Sequence, residues 1–242
     1  MRVYFAGCCT REMQFINQNP RFMLESFFYI KPWQVKFIPL LDGFLLDSGA
    51  FSFMNGKKAV NFDDYLERYA AFVCNHNIEH FFELDLDSVV GYDTVLQMRK
   101  KLETKTGRKP IPVWHKSRGY DEFLRMCDDY AYVAIGGIVT KEIAKEQYHM
   151  LPRLISEAHK RGCMIHGLGF TSLSHLQSCH FDSVDSTSWL AGSRYGHVYS
   201  FDGRTLISKS PPKGKKTAHF TQIDEHNITE WLKFQRYAET HL

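Results

Sequence analysis

The chain has 242 residues, 44% of them hydrophobic and 14% aromatic, with 30 Lys and Arg against 27 Asp and Glu. That length suits one barrel or one doubly wound domain with a full core, and the apolar content excludes a disordered chain. A formal net charge of +3 argues neither for nor against a nucleic-acid partner.

The elements follow from the hydrophobic pattern. Val3 to Gly7 reads as a first strand, and Pro20 to Ile30, apolar at helical spacing after a proline, as a helix. Phe44 to Leu46 is the second strand. Asn61 or Asp63 caps a helix over 62–77. His80 to Leu84 is the third strand, followed by a helix from Tyr92 to Thr106 that Gly107 closes. Ile111 to His115 is the fourth strand, 121–127 a short helix, and Tyr132 to Gly137 the fifth strand. A helix over 141–161 ends at Gly162, with Pro152 kinking or splitting it. Cys163 to His166 is the sixth strand. Ser172 or Ser174 caps a short helix to Cys179. Phe181 to Val184 is the seventh strand. Val198 to Phe201 and Thr205 to Ser208 flank an Asp202-Gly203 hairpin turn, the first arm offering an eighth strand, and a helix over 225–241 closes the chain.

Strands alternating with helices predict a parallel sheet. Eight strands favour a single-domain (β/α)8 barrel over 1–242, with a basic loop or hairpin at 196–216 and a C-terminal helix. Function then belongs at the carboxyl ends of the strands. Those ends carry Cys8 and Cys9, Asp47, Asp85 and Asp87, His115, Gly136-Gly137, Gly167-Leu168-Gly169, and Asp182 with Asp185. Glu83, Asp85 and Asp87 share one strand face by period two, so they must be protonated, paired or solvated. No His falls at ligand spacing from them, which disfavours a metal site. The six Cys show no CxxC spacing and read as free thiols of a reducing compartment. No apolar run approaches the ~20 residues of a membrane helix, and the start is too short and strand-like for a signal peptide. No membrane partner and a cytoplasmic location are expected. From Gly203 to Lys216 there are five basic residues, Arg204, Lys209, Lys213, Lys215 and Lys216, and no acidic one. The stretch reads either as a solvated loop or as a phosphate-tracking edge.

Together these motifs resemble the tRNA-guanine transglycosylase superfamily. Asp47-Ser48-Gly49-Ala50-Phe51 is similar to its Asp-Ser-Gly-Gly-Tyr/Phe motif, Ala134-Ile135-Gly136-Gly137-Ile138 to its Ala-Ile-Gly-Gly-Leu, and His166-Gly167-Leu168-Gly169 to its Met-Gly-Val-Gly. Phe181-Asp182-Ser183-Val184 is similar to Phe-Asp-Cys-Val, and Arg194-Tyr195-Gly196 to the Arg-Asn-Gly that follows. The matches run in family order over roughly 43–208. The family's zinc module of three Cys and a His has no counterpart, the chain is shorter, His115 stands where a Gln is expected, and Ala50 replaces a Gly. Those departures look more like the compact, phage-type DNA-modifying branch that inserts 7-deazaguanines such as preQ0 derivatives.

The resemblance implies exchange of guanine for a 7-deazaguanine through a covalent aspartyl-glycosyl intermediate, with no cofactor and no metal. It makes Asp182 the nucleophile and Asp47 the general acid/base. Asp85, with Asp87 as its competitor, would hold the base's N1 and 2-amino edge. Gly136, Gly137 and Ile138 would meet its O6, and Phe51 would stack on the ring with His166 on the other face. Ser48, Gly49, His115 and Gly167 would line the pocket. Asp185 is read as structural or as a contact to nucleic acid, beside Arg194, Arg204, Lys209, Lys213, Lys215 and Lys216. Trp189 and Tyr195 either stack on bases or close the barrel top. DNA is the expected partner, with tRNA the alternative, a strand-opening protein left open, and expression from a virus in a host cytoplasm the expectation from the branch. The rivals are a non-catalytic nucleic-acid-binding subunit and an unrelated barrel hydrolase with a metal on its carboxylates.

Overall fold

The computed structural model describes residues 1–7, 20–50, 52, 61–170, 172–212 and 220–242. Eight parallel strands form one sheet: β1 (Arg2–Ala6), β2 (Phe22–Ser26), β3 (Gly43–Asp47), β4 (His80–Phe81), β5 (Val113–Trp114), β6 (Tyr132–Ile135), β7 (Met164–Gly167) and β8 (Ser183–Ser186). Their order is β4-β3-β2-β1-β8-β7-β6-β5. A parallel bridge between Phe82 and Ile111 joins the two edges, with Ile111 N donating to the Phe81 carbonyl (2.7 Å) and Glu83 N to that of Ile111 (3.0 Å). Closure leaves no open sheet edge, and the fold is a (β/α)8 barrel.

The strands feed helices α1 (Phe62–Asn75), α2 (Tyr92–Thr106), α3 (Tyr120–Asp129), α4 (Leu151–His159), α5 (Leu173–Cys179), α6 (Ala191–Tyr195) and α7 (Phe220–His241). Asn61 caps α1 by accepting from the amides of Asp63 and Asp64. Pro152 sits in the first turn of α4, preceded by a 3-10 stretch over Lys145–Met150. The long helix expected over 141–161 is therefore split where proline cannot continue it.

Alternation along each strand sorts the core into two layers. Val3, Phe5, Val133, Ile135, Ile165 and Val184 pack outward with α3, α4 and α7 residues such as Phe123, Leu154 and Trp231. Leu46 and Phe81 do the same against Tyr65, Tyr69 and Leu102 of α1 and α2. Tyr4, Ala6, Phe22, Leu24, Leu45, Phe82, Val113 and Ala134 form a third cluster that contains no helix residue, and this is the barrel interior.

Two sequence expectations are corrected. The stretch read as a helix from Pro20 contains β2. Its Phe22 and Leu24 face the interior and Met23 the helices, and a strand buried on both faces gives a continuous apolar run that periodicity cannot separate from a helix. Conversely, Val198–Phe201 is not the eighth barrel strand. It pairs antiparallel with Leu206–Lys209 in a separate hairpin, β9–β10, held on α7 by Asn227, whose side-chain amide spans the His197 carbonyl and the Tyr199 amide at 2.9 Å each. Helix α7 also ties β1 to β2, through Gln235 donating to the carbonyls of Val3 and Phe22. Among the described residues no helix is long and apolar enough to cross a membrane.

Candidate active site

Three carboxylates converge where the strands end. Asp47 follows Leu45 by two residues on β3, so the pleat turns both inward. Asp185 stands on β8 in the same relation to Ser183. Asp85 follows β4. Burial raises the Asp47 pKa to about 6, the Gly49 amide and the Ser26 hydroxyl offset part of that rise, and the charges of Asp185 and Asp85 add to it. Their positions at the carboxyl ends of β3, β8 and β4 put all three carboxylates at one mouth. Gly49 N donates to Asp47 Oδ2 at 2.9 Å. Asp185, 6% exposed, accepts at Oδ1 from Gly169 N (2.6 Å) and lies 3.1 Å from His166 Nε2.

Asp85 belongs to a charge network that settles how the acidic run after β4 is tolerated. Arg118, with a side chain 3% exposed, lies 3.0 Å from Asp85 Oδ1 and 2.9 Å from Asp87 Oδ2, donates to the Val113 carbonyl and stacks on Tyr92 at 4.3 Å. Its planar fork is what allows one cation to serve several acceptors. Glu83, fully buried, accepts from Arg99 Nε (2.6 Å) and from Val113 N (2.7 Å). That carboxylate stands in for a backbone acceptor at the sparse seam where β4 meets β5. His115 bridges two acids, with Nε2 2.7 Å from Asp85 and Nδ1 2.9 Å from Glu142. Burial opposes its charge, but Asp85 and then Glu142 outweigh burial and lift its pKa to about 9. The imidazolium is thus the form present at neutral pH. Glu142 is lowered: burial acts against this, and the Ser117 amide and His115 prevail.

Asp85, Asp87 and His115 each offer one ligand atom, all within 4.8 Å of one another. His115 reaches them through the fold, although no spacing in the sequence announced it. Arg118 and a doubly engaged imidazolium already neutralise this set, so it is a poor cation site. Asp47 and Asp185 differ: among the described residues neither pairs with a Lys or Arg.

Several sequence expectations change. Asp182 is not at the mouth. Strand β8 begins at Ser183, two residues later than the pattern suggests, and the Asp182 carbonyl accepts from Arg2 N at the start of β1 (2.8 Å). Its carboxylate accepts from Ile165 N (2.6 Å) and lies 2.9 Å from His159 Nε2, close to the chain's amino terminus. This is the amino end of the barrel, and the carboxylate at the working end of β8 is Asp185. His166 is fully buried between Tyr4, Phe82 and Tyr132 and has no face free for a base. A side chain at Gly136 would come within 3.0 Å of the His115 ring, and one at Gly137, whose φ is +77°, within 2.9 Å of Glu142. These glycines admit the His115–Glu142 pair, a role distinct from contact with O6. Ile138 lies in the outer layer. Ser48 is buried, its carbonyl bound by Tyr65, and Gly167 packs on Phe170 and Phe181. Trp189 is 1% exposed, stacks on Phe5 and donates to the Ala6 carbonyl, so it closes the barrel rather than presenting a ring.

Arg194, Arg204 and Lys209 are exposed. Phe201, just before the hairpin turn, packs on Phe234 and Tyr237, and Ala238 accepts from the Met1 amino group. Arg204 therefore sits toward the amino end of the barrel, away from the mouth. Phe51, Lys213, Lys215, Lys216, Cys8 and Cys9 lie outside the described residues. Sequence reasoning missed Arg118, Arg99 and Glu142. Arg118 follows His115 by three residues in the loop after β5, a signal that was present; nothing local marks Arg99 or Glu142.

No protein-family model and no curated protein matches the sequence. Among solved structures, the chain is similar to the carboxyl transferase domain of pyruvate carboxylase from Rhizobium etli, solved with pyruvate, at 10% identity and TM-score 0.47, over 99% of this chain and 47% of that one. It is similar also to a putative fructose-1,6-bisphosphate aldolase from Coccidioides immitis, at 11% identity and TM-score 0.47, over 99% of this chain and 88% of that one. The chain thus spans about half the length of the first of these, and neither likeness bears on the reaction.

Proposed function

We propose that the protein is an enzyme that exchanges guanine for a 7-deazaguanine in nucleic acid, with DNA as the first substrate and tRNA as the alternative. The observation that carries this reading is one mouth where Asp47, Asp85 and Asp185 sit in three different environments. Carboxylates whose surroundings separate them can take separate roles. Asp185, anchored at Oδ1, attacks C1′ of the nucleotide through Oδ2 in this reading, so that the C–O bond forms as the glycosidic C–N bond breaks. Asp47, with a pKa raised to about 6, is suited to pass a proton to the departing guanine and to take one from the arriving base. That base then attacks C1′ and frees Asp185. Asp85, held by Arg118 and His115, has lone pairs left to accept two N–H donors from a guanine edge. Two acids without Lys or Arg partners among the described residues also suit the positive charge that develops on the sugar. The target base must leave the stack to reach them. Asp185 takes the nucleophile's role in place of Asp182.

The test is incorporation of labelled guanine or preQ0 into duplex DNA, single-stranded DNA and tRNA by the wild type and by Asp185→Ala, Asp47→Ala and Asp182→Asn. Label entering DNA, lost in the first two variants and kept in the third, is expected. Label in tRNA alone would change the substrate. Loss in Asp182→Asn with activity kept in Asp185→Ala would return the nucleophile to Asp182. No exchange with any nucleic acid would overturn the reading.

A further inference from the structure

Resting on Asp185 as nucleophile, we propose that His166 is its positioning residue, at the end of a buried hydrogen-bond chain from Tyr132 through Ser183. The chain crosses three adjacent strands. Tyr132 lies on β6, His166 on β7, and Ser183 on β8 directly opposite His166 in the ladder. The Tyr132 hydroxyl meets Ser183 Oγ, Ser183 Oγ is 2.6 Å from His166 Nδ1, and His166 Nε2 is 3.1 Å from Asp185 Oδ1.

The direction of the chain follows from its ends. Asp185 as a carboxylate can only accept, so Nε2 carries the ring proton. Burial raises the Tyr132 pKa, which keeps the phenol protonated, and its hydroxyl has Ser183 as its partner among the described residues. Tyr132 therefore donates to Ser183, Ser183 donates to Nδ1, and Nε2 donates to Asp185. Each bond polarises the next. His166 and Ser183 are 0% and 1% exposed, and the rings of Tyr4 and Phe82 stand 6.1 and 5.4 Å from the imidazole, so the ring can neither turn nor exchange its partners for water. With the Gly169 amide also on Oδ1, that oxygen is fixed by two donors. No donor among the described residues is recorded on Oδ2, which leaves it for the sugar. The arrangement chooses which oxygen attacks and holds the carboxyl plane.

The test compares His166→Met, which keeps bulk and removes the donor, with His166→Gln, whose amide N–H replaces Nε2–H, in the exchange assay. The expected result is a kcat roughly ten- to a hundredfold lower in the first, the weight of one hydrogen bond to a charged group, with KM within about twofold, and recovery of most of that loss in the second. An unchanged kcat in His166→Met, or a Gln variant as poor as the Met one, overturns the proposal. Nitrogen NMR of the wild-type ring needs no substrate and separates this from the reaction assignment: a proton on Nε2 with a bare, hydrogen-bonded Nδ1 supports the chain, and a proton on Nδ1 alone refutes it. The Nε2 proton should also shift in Asp185→Asn.

Discussion

Asp47 destabilises the fold it serves, and the size of that effect can be worked out. Its pKa is about 6 in the folded protein against 3.8 for the free side chain. The folded state therefore holds a proton that the unfolded chain has released between those two values, so stability falls as pH rises from about 3.8 to about 6. Above pH 6 the penalty is complete. Some two pKa units at about 1.4 kcal/mol each give at most about 3 kcal/mol, an upper figure because the open side of the pocket lets water screen the charge. Asn at 47 cannot ionise, yet its oxygen can still accept from Gly49 N. Asp47→Asn should thus be more stable than the wild type at pH 8 by up to about 3 kcal/mol, equal to it near pH 4, and inactive in exchange. Urea unfolding of both proteins from pH 4 to 8.5 measures the difference directly. A difference that does not change with pH, or a variant weaker than the wild type at pH 8, would refute the environment assigned to this carboxyl and with it the argument for Asp47 as the proton carrier.

Other substitutions probe the rest of the mouth. His115, raised to about 9, contributes stability that is full below pH 6.5 and lost as pH rises through 9; the wild type should weaken by at most about 3.5 kcal/mol over that window, and His115→Gln should flatten the curve in a denaturation series carried on to about pH 10. Arg99→Met leaves Glu83 buried without its main partner and should cost about 3–5 kcal/mol, seen as a lower unfolding midpoint. Arg118→Lys keeps the charge but loses the fork that spans Asp85 and Asp87 and the stack on Tyr92; KM for the incoming base should rise roughly tenfold or more with a smaller change in kcat.

The barrel was legible because most strands alternate with helices of clear periodicity, several with local boundary signals such as Asn61 at the start of α1, Gly107 at the end of α2 and Pro152 in the first turn of α4. The count of eight was right through two errors that cancelled. Phe22–Ser26 was hidden because burial on both faces erases the period-two signal. Val198–Phe201 looked like a barrel strand because a hairpin arm and a barrel strand differ only in their partner, and pairing is not a local property. What fixes the hairpin outside the barrel is Asn227 and Glu230, about thirty residues further on in α7.

The candidate site was legible as residue types at strand ends, and the reading slipped where the pattern starts β8 two residues early. Asp182 and Asp185 lie three residues apart, about 10 Å along a strand, which is enough to carry a carboxylate from one end of the barrel to the other. The sequence pattern started β8 at Phe181 because that ring continues the apolar run, whereas Phe181 packs on Phe170 in the outer layer and pairing begins at Ser183. Polar residues, Ser183 and Asp185, then occupy the interior positions of β8 where hydrophobic ones were expected. They are there because the interior of β7 and β8 holds a hydrogen-bonded chain around His166 in place of an apolar layer. A polar strand in a barrel core is a cost unless every group finds a partner. Here Tyr132, Ser183, His166 and Gly169 supply partners that converge on Asp185. The same run that made β8 hard to place is therefore the best argument for proposing Asp185 ahead of Asp182 as the nucleophile.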